Sequence, residues 1–88
     1  MNAREVVIIN PLGLHARPAA QIVRLASNFN ADIRLEKDGM EVNGKSIMGV
    51  MMLAAECGST LRILAEGADA DAALEALCGL VSRGFGES

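Results

Sequence analysis

The chain holds one histidine, His15, set in the run Gly13-Leu14-His15-Ala16-Arg17-Pro18-Ala19-Ala20. Histidine changes charge close to neutrality, and its neutral ring is a nucleophile that needs no separate base. Pro18 is tolerated in a helix only near its start, because it lacks an N–H and fixes φ. That puts the helix start at Ala16 and His15 at the capping position. A capping side chain normally accepts from the second or third helical N–H. The third residue here is Pro18, so the free donors are the amides of Ala16 and Arg17. Exposed amides at the positive end of a helix attract anions, and the Arg17 guanidinium suits phosphate oxygens. The chemistry on offer is phosphoryl transfer to the ring, with Nδ1, the nitrogen nearer those amides, as the attacking atom. The same residues would also make a plain exposed cap beside a solvated arginine. Residue types alone leave both readings open.

The other reactive side chains offer less. Cys57 and Cys78 lie far apart, and with a single histidine they cannot supply a usual zinc set, so no metal or cofactor is expected. Cys78 falls on an apolar helical stripe and reads as core. Cys57 lies in the Glu56-Cys57-Gly58 loop, where an ordinary thiol is the simpler reading. Ser46 reads first as the N-cap of a short helix.

The elements that must position His15 follow from periodicity. Arg4 to Ile9 reads as a strand with Val6 and Ile8 on one face, and Asn10-Pro11-Leu12-Gly13 as a loop. Ala16 to Ser27 carries Ala19, Ile22, Val23 and Ala26 at helical spacing. Ile33 and Leu35 alternate with polar neighbours, Asp38-Gly39 signals a hairpin, and Met40 to Asn43 is the return strand. Ser46 to Leu53 is a short helix, Thr60 to Glu66 a strand with Leu61, Ile63 and Ala65 inward. Asp69 to Arg83 is the last helix, closed by Gly84 and Gly86. The order is β-α-β-β-α-β-α. One apolar face on the sheet and one stripe per helix predict a two-layer α+β fold, helices on one side.

Composition bounds the rest. Eighty-eight residues suffice for a single domain spanning 1–88, and 51% hydrophobic residues argue against disorder. A formal charge of -3 gives no general attraction to nucleic acid or anionic membranes, and Phe29 and Phe85, the two aromatics, build no base-stacking platform. No apolar run approaches the roughly 20 residues that span a bilayer, and no signal-peptide core follows Met1 to Val7. The expectation is a cytoplasmic protein, monomeric by default.

Gly-Leu-His-Ala-Arg-Pro-Ala-Ala resembles the active-site signature of HPr, the histidine-containing phosphocarrier family of the phosphoenolpyruvate-dependent phosphotransferase system. Lys45-Ser46-Ile47-Met48-Gly49-Val50-Met51 and the Gly67-Ala68-Asp69 entry to the last helix extend the likeness along the chain. The resemblance implies an open-faced β-sandwich of four antiparallel strands covered by three helices. It implies that His15 takes a phosphoryl group on Nδ1 from enzyme I and passes it to enzyme II A domains. The chain would then be a covalent carrier rather than a stand-alone enzyme. Arg17 matches the family's phosphate-stabilising arginine, with the Ala16 amide beside it. Ile47, Met48 and Met51 match docking positions, completed by Ala20, Gln21 and Arg24, while Val50 and Leu53 read as core. Lys-Ser-Ile-Met-Gly-Val resembles HPr forms phosphorylated on serine, Ser46 here, by HPr kinase/phosphorylase. Leu12 and the Ser-Arg-Gly-Phe-Gly tail look closer to forms serving nitrogen-related or regulatory branches.

Three rivals stand beside this reading, of which an RNA-binding α+β domain fails for want of aromatics on the strands. A non-catalytic regulatory interaction module of the same fold would act through partner binding alone, and the presence of His15 disfavours it. An acyl carrier needs a helical bundle, which the strand content here excludes.

Overall fold

The computed structural model describes residues 1–87. Its strands are β1 (Asn2–Val7), β2 (Asp32–Lys37), β3 (Met40–Asn43) and β4 (Thr60–Glu66). Its helices are α1 (Ala16–Ala26), α2 (Ile47–Met52) and α3 (Ala70–Ser82), with a 3₁₀ turn over Gly84–Gly86. The strands form one antiparallel sheet in the order β1-β4-β2-β3.

Local chemistry accounts for these elements. β4 alternates buried Leu61, Ile63 and Ala65 with exposed Thr60, Arg62 and Glu66, the period a half-buried strand requires. Asp38 and Gly39 both take positive φ, 52° and 84°, as the two-residue turn of a twisted hairpin demands. Ala19, Ile22 and Ala26 of α1, Val50 of α2 and Ala73, Leu74, Leu77 and Val81 of α3 are buried against Ile33, Leu35, Leu61 and Ile63 of the sheet. Each large aliphatic side chain so buried contributes roughly 1.5–3 kcal/mol over exposure. The two-layer architecture expected from the sequence is the one observed.

Departures from the expected boundaries have structural causes. β1 begins at Asn2, before its apolar residues, because Asn2 and Ala3 pair with Ala65 and Leu64 of β4. It ends at Val7, where β4 runs out at Thr60, although the Ile8 amide still donates to the Ser59 carbonyl at 2.9 Å. Cys78 is half-buried at the margin of the core rather than within it. Burial pushes its thiol up from the ordinary 9.0, with the charge of Arg4 opposing. Beyond α3 the chain does more than stop. Phe85 turns into the left-handed region at φ 60° and buries its ring, bringing Glu87 back toward the start of α1.

Candidate functional site

The loop before α1 is built around a glycine whose position strongly disfavours a side chain. Gly13 has φ 67°, and a Cβ added there would sit 2.3 Å from the Ala55 carbonyl oxygen. The close approach lets the Leu14 amide donate to that carbonyl at 2.9 Å while the Leu14 side chain is buried. The Gly13 amide closes a turn onto the Asn10 carbonyl at 3.1 Å, and the His15 amide donates to the Gly13 carbonyl at 3.0 Å. His15 is thereby fixed as the N-cap of α1 in extended conformation, φ -80° and ψ -171°, with its side chain making no capping hydrogen bond.

The amides of Ala16 and Arg17 have no acceptor among the described residues, and Pro18 has no N–H to give. The first turn of α1 contains no acidic residue. The Arg17 side chain is exposed and forms no ion pair among the described residues. An open helix end, a free guanidinium and a ring at their edge make a shallow anion-accepting corner.

The imidazole is about one-third exposed, and its Nε2 lies 3.1 Å from Glu87 Oε2. The other carboxylate oxygen, Oε1, accepts from Asn10 Nδ2 at 3.1 Å. Asn10 is the one buried polar residue of the described structure, and its Nδ2 also donates to the Gly13 carbonyl at 2.7 Å. Its Oδ1 is buried with no protein partner among the described residues. Leaving such an acceptor unmatched costs about 1–3 kcal/mol. Reversing the amide would be worse, since Oδ1 would then face two acceptors.

Neither Asn10 nor Glu87 figures among the residues that the sequence singled out. Asn10 carried a weak signal, as a turn-forming residue in a Pro/Gly loop. Glu87 carried none, because it reaches His15 across 72 positions by way of the turn at Phe85.

The remaining sequence-selected residues lie on α1 and α2, which pack directly against each other. Ile47, Met48 and Met51 are exposed, with Met52 and Leu12. Arg24 is exposed, while Ala20 and Gln21 are half-buried. Val50 and Leu53 are core, as expected. Ser46 caps α2 by accepting the Gly49 amide at 3.1 Å. An open groove of about 300 Å³ between α1 and α3 is lined by Gln21, Arg24, Leu25, Asn28, Leu80 and Arg83, and His15 is not part of it. No cluster of metal-ligating side chains occurs among the described residues, and none of their helices is long and apolar enough to cross a membrane.

Known proteins are similar to this chain in sequence and in fold. The family described as PTS HPr component phosphorylation site matches residues 2–83. A phosphocarrier protein HPr from Cupriavidus necator is 47% identical over 87 residues, covering 99% of this chain and 98% of that protein. The crystal structure of HPr-C-His from Thermoanaerobacter tengcongensis superposes with a TM-score of 0.95 at 45% identity, over 100% of this chain and 99% of that one. A structure of an HPr dimer from the same organism is 46% identical with a TM-score of 0.79, over 99% of this chain and 100% of that one. With a dimer among such relatives, the expectation of a monomer has no support.

Proposed function

The chain belongs to the PTS-HPr family, and from that premise we propose that it accepts a phosphoryl group from phosphorylated enzyme I on Nδ1 of His15 and delivers it to enzyme II A domains. The observation that carries this reading is the position of His15, held extended at the mouth of α1 beside the unpartnered amides of Ala16 and Arg17.

In the step itself, the Nδ1 lone pair forms the new N–P bond as the bond from phosphorus to the donor's leaving atom breaks. The electron pair of the broken bond returns to that donor atom. Most of the catalysis in such a transfer is positioning and charge neutralisation. The Ala16 and Arg17 amides and the Arg17 guanidinium would neutralise the oxygens. Onward transfer reverses these roles, with the acceptor's nucleophile attacking phosphorus and Nδ1 leaving. A carrier used by two partners gains from a site with no pocket around it, and the open corner at His15 suits that need.

The exposed Ile47, Met48 and Met51 of α2, with Ala20, Gln21 and Arg24 of α1, form the proposed docking face. Methionine adapts to more than one apolar partner, and the arginines favour acidic partner surfaces. Ser46, at the margin of this face, is the proposed target of HPr kinase/phosphorylase. A phosphate there would place about two negative charges beside the docking face. The protein would act in the cytoplasm, in sugar uptake, in regulation or in both.

The test mixes the chain with enzyme I and phosphoenolpyruvate and follows intact mass. One acid-labile phosphoryl group per chain is expected, and none in His15→Ala. A parent chain that gains nothing, or a His15→Ala variant that is still phosphorylated, would overturn the proposal.

A further inference from the structure

Glu87 and Asn10 form a chain of hydrogen bonds that ends on the functional histidine, and nothing in the carrier chemistry above has used it. We infer that Glu87, oriented by the buried Asn10, is a positioning residue that holds His15 in the tautomer with Nδ1 unprotonated and supports the ring as it becomes charged. The inference rests on the proposed role of His15 and adds to it a residue outside the signature around that histidine.

Both carboxylate oxygens are committed, Oε1 to Asn10 Nδ2 at 3.1 Å and Oε2 to His15 Nε2 at 3.1 Å. A carboxylate only accepts, so Nε2 must carry the proton in this contact. In a neutral imidazole the other nitrogen is then the one with a lone pair. Glu87 thus selects Nδ1 as nucleophile, on the side of the ring away from itself. When Nδ1 bonds to phosphorus with Nε2 still protonated, the ring gains positive charge, and the carboxylate faces the N–H that shares it. An aspartate orients and stabilises the histidine of a serine-protease triad by the same logic.

Asn10 has the features of a support for this contact rather than of a stability device. It is almost fully buried, its two amide hydrogens serve Gly13 and Glu87, and its Oδ1 has no protein partner among the described residues. The approach of Glu87 is fixed in turn by Phe85, which sits in the left-handed region with its ring buried, and by the Glu87 amide donating to the Gly84 carbonyl at 3.0 Å. A strained backbone held by core packing at a functional corner is where a positioning role is expected.

The discriminating variant is Glu87→Gln. Glutamine keeps the shape but has one acceptor oxygen, so it cannot accept from Asn10 and His15 together. The readouts are the ¹⁵N chemical shifts of the His15 ring, at a pH where the ring is neutral, and the single-turnover rate of phosphoryl acceptance at saturating phospho-enzyme I. In the parent, Nε2 should read as N–H and Nδ1 as unprotonated. In Glu87→Gln the Nδ1–H form should rise and acceptance should slow about tenfold, the scale of one charge-assisted hydrogen bond lost at a partly exposed site.

A parent ring protonated on Nδ1 would overturn the inference whatever the variant does, so the test survives a variant that fails to fold. So would a folded variant in which tautomer and rate do not both change. If the parent takes no phosphoryl group at all, the proposed function falls, and the ring shifts alone then decide the role of Glu87.

Discussion

Gly13 and Gly39 both take positive φ, yet the structure assigns them different costs when each is changed to alanine. At Gly39, φ 84°, an added Cβ would meet nothing within 4 Å. Gly39→Ala should therefore cost only the left-handed backbone strain, about 1 kcal/mol. At Gly13, φ 67°, the same strain is joined by a Cβ 2.3 Å from the Ala55 carbonyl oxygen and 3.0 Å from the Glu56 Cα. Those atoms are backbone, so the loop itself must move. Moving it breaks the bond from the Leu14 amide to Ala55, worth about 1 kcal/mol net. The total for Gly13→Ala is about 2–3 kcal/mol. At about 4–8 °C per kcal/mol for a domain of this size, Tm should fall roughly 10–20 °C, against about 4–8 °C for Gly39→Ala. Thermal unfolding by circular dichroism measures both. Phosphoryl acceptance, followed well below either Tm, should drop in Gly13→Ala and stay at the parent level in Gly39→Ala, since only the first loop carries His15. Equal Tm losses in the two variants would refute the claim that contact with Ala55 sets the loop. A Gly13→Ala chain that is destabilised but accepts phosphoryl at the parent rate would refute the claim that this loop positions the histidine.

Three further outcomes follow from single residues. Ser46→Ala removes the acceptor of the Gly49 amide and should cost about 1 kcal/mol in chemical denaturation, whereas Ser46→Asp keeps a capping oxygen and should instead slow phosphorylation of His15 by enzyme I. Arg17→Ala should leave stability within about 0.5 kcal/mol, because the side chain is exposed and unpaired among the described residues, yet slow phosphoryl acceptance roughly tenfold or more. The Cys78 thiol holds its proton to higher pH in the folded chain than in the unfolded one, so its contribution is whole below the ordinary 9.0 and is lost as pH rises through the raised value. Urea unfolding should show stability falling above pH 9.0 in the parent and falling less steeply in Cys78→Ala.

Much of the fold was readable because its signals are local. The alternation in Leu61, Ile63 and Ala65, the Asp38-Gly39 turn and the apolar stripe of α1 each report on their own neighbourhood, and the structure places all three where periodicity puts them. His15 as a helix cap was readable for the same reason, since Pro18 limits where α1 can begin. The extension of β1 to Asn2 was not, because pairing with β4 rather than residue type sets it. Cys78 falls on an apolar stripe, but periodicity gives the face and not the depth, and the residue lies at the margin of the core.

The half of the site that the sequence hid is the non-local half. Gly84 and Gly86 looked like a simple helix stop, and a left-handed phenylalanine between them is a conformation no local rule favours. Burial of the Phe85 ring, a tertiary effect, offsets that strain and delivers Glu87 to a residue 72 positions away. Asn10 gave a turn signal but no hint of burial, because asparagines in Pro/Gly loops are ordinarily exposed.

The central claim is that one particular ring nitrogen receives the phosphoryl group, and nitrogen–phosphorus coupling in a ¹⁵N-labelled phosphorylated chain reads it directly. Phosphorus on Nδ1 of His15, with a proton retained on Nε2 facing Glu87, is the result this account predicts. Phosphorus on Nε2, where the carboxylate now stands, would contradict it.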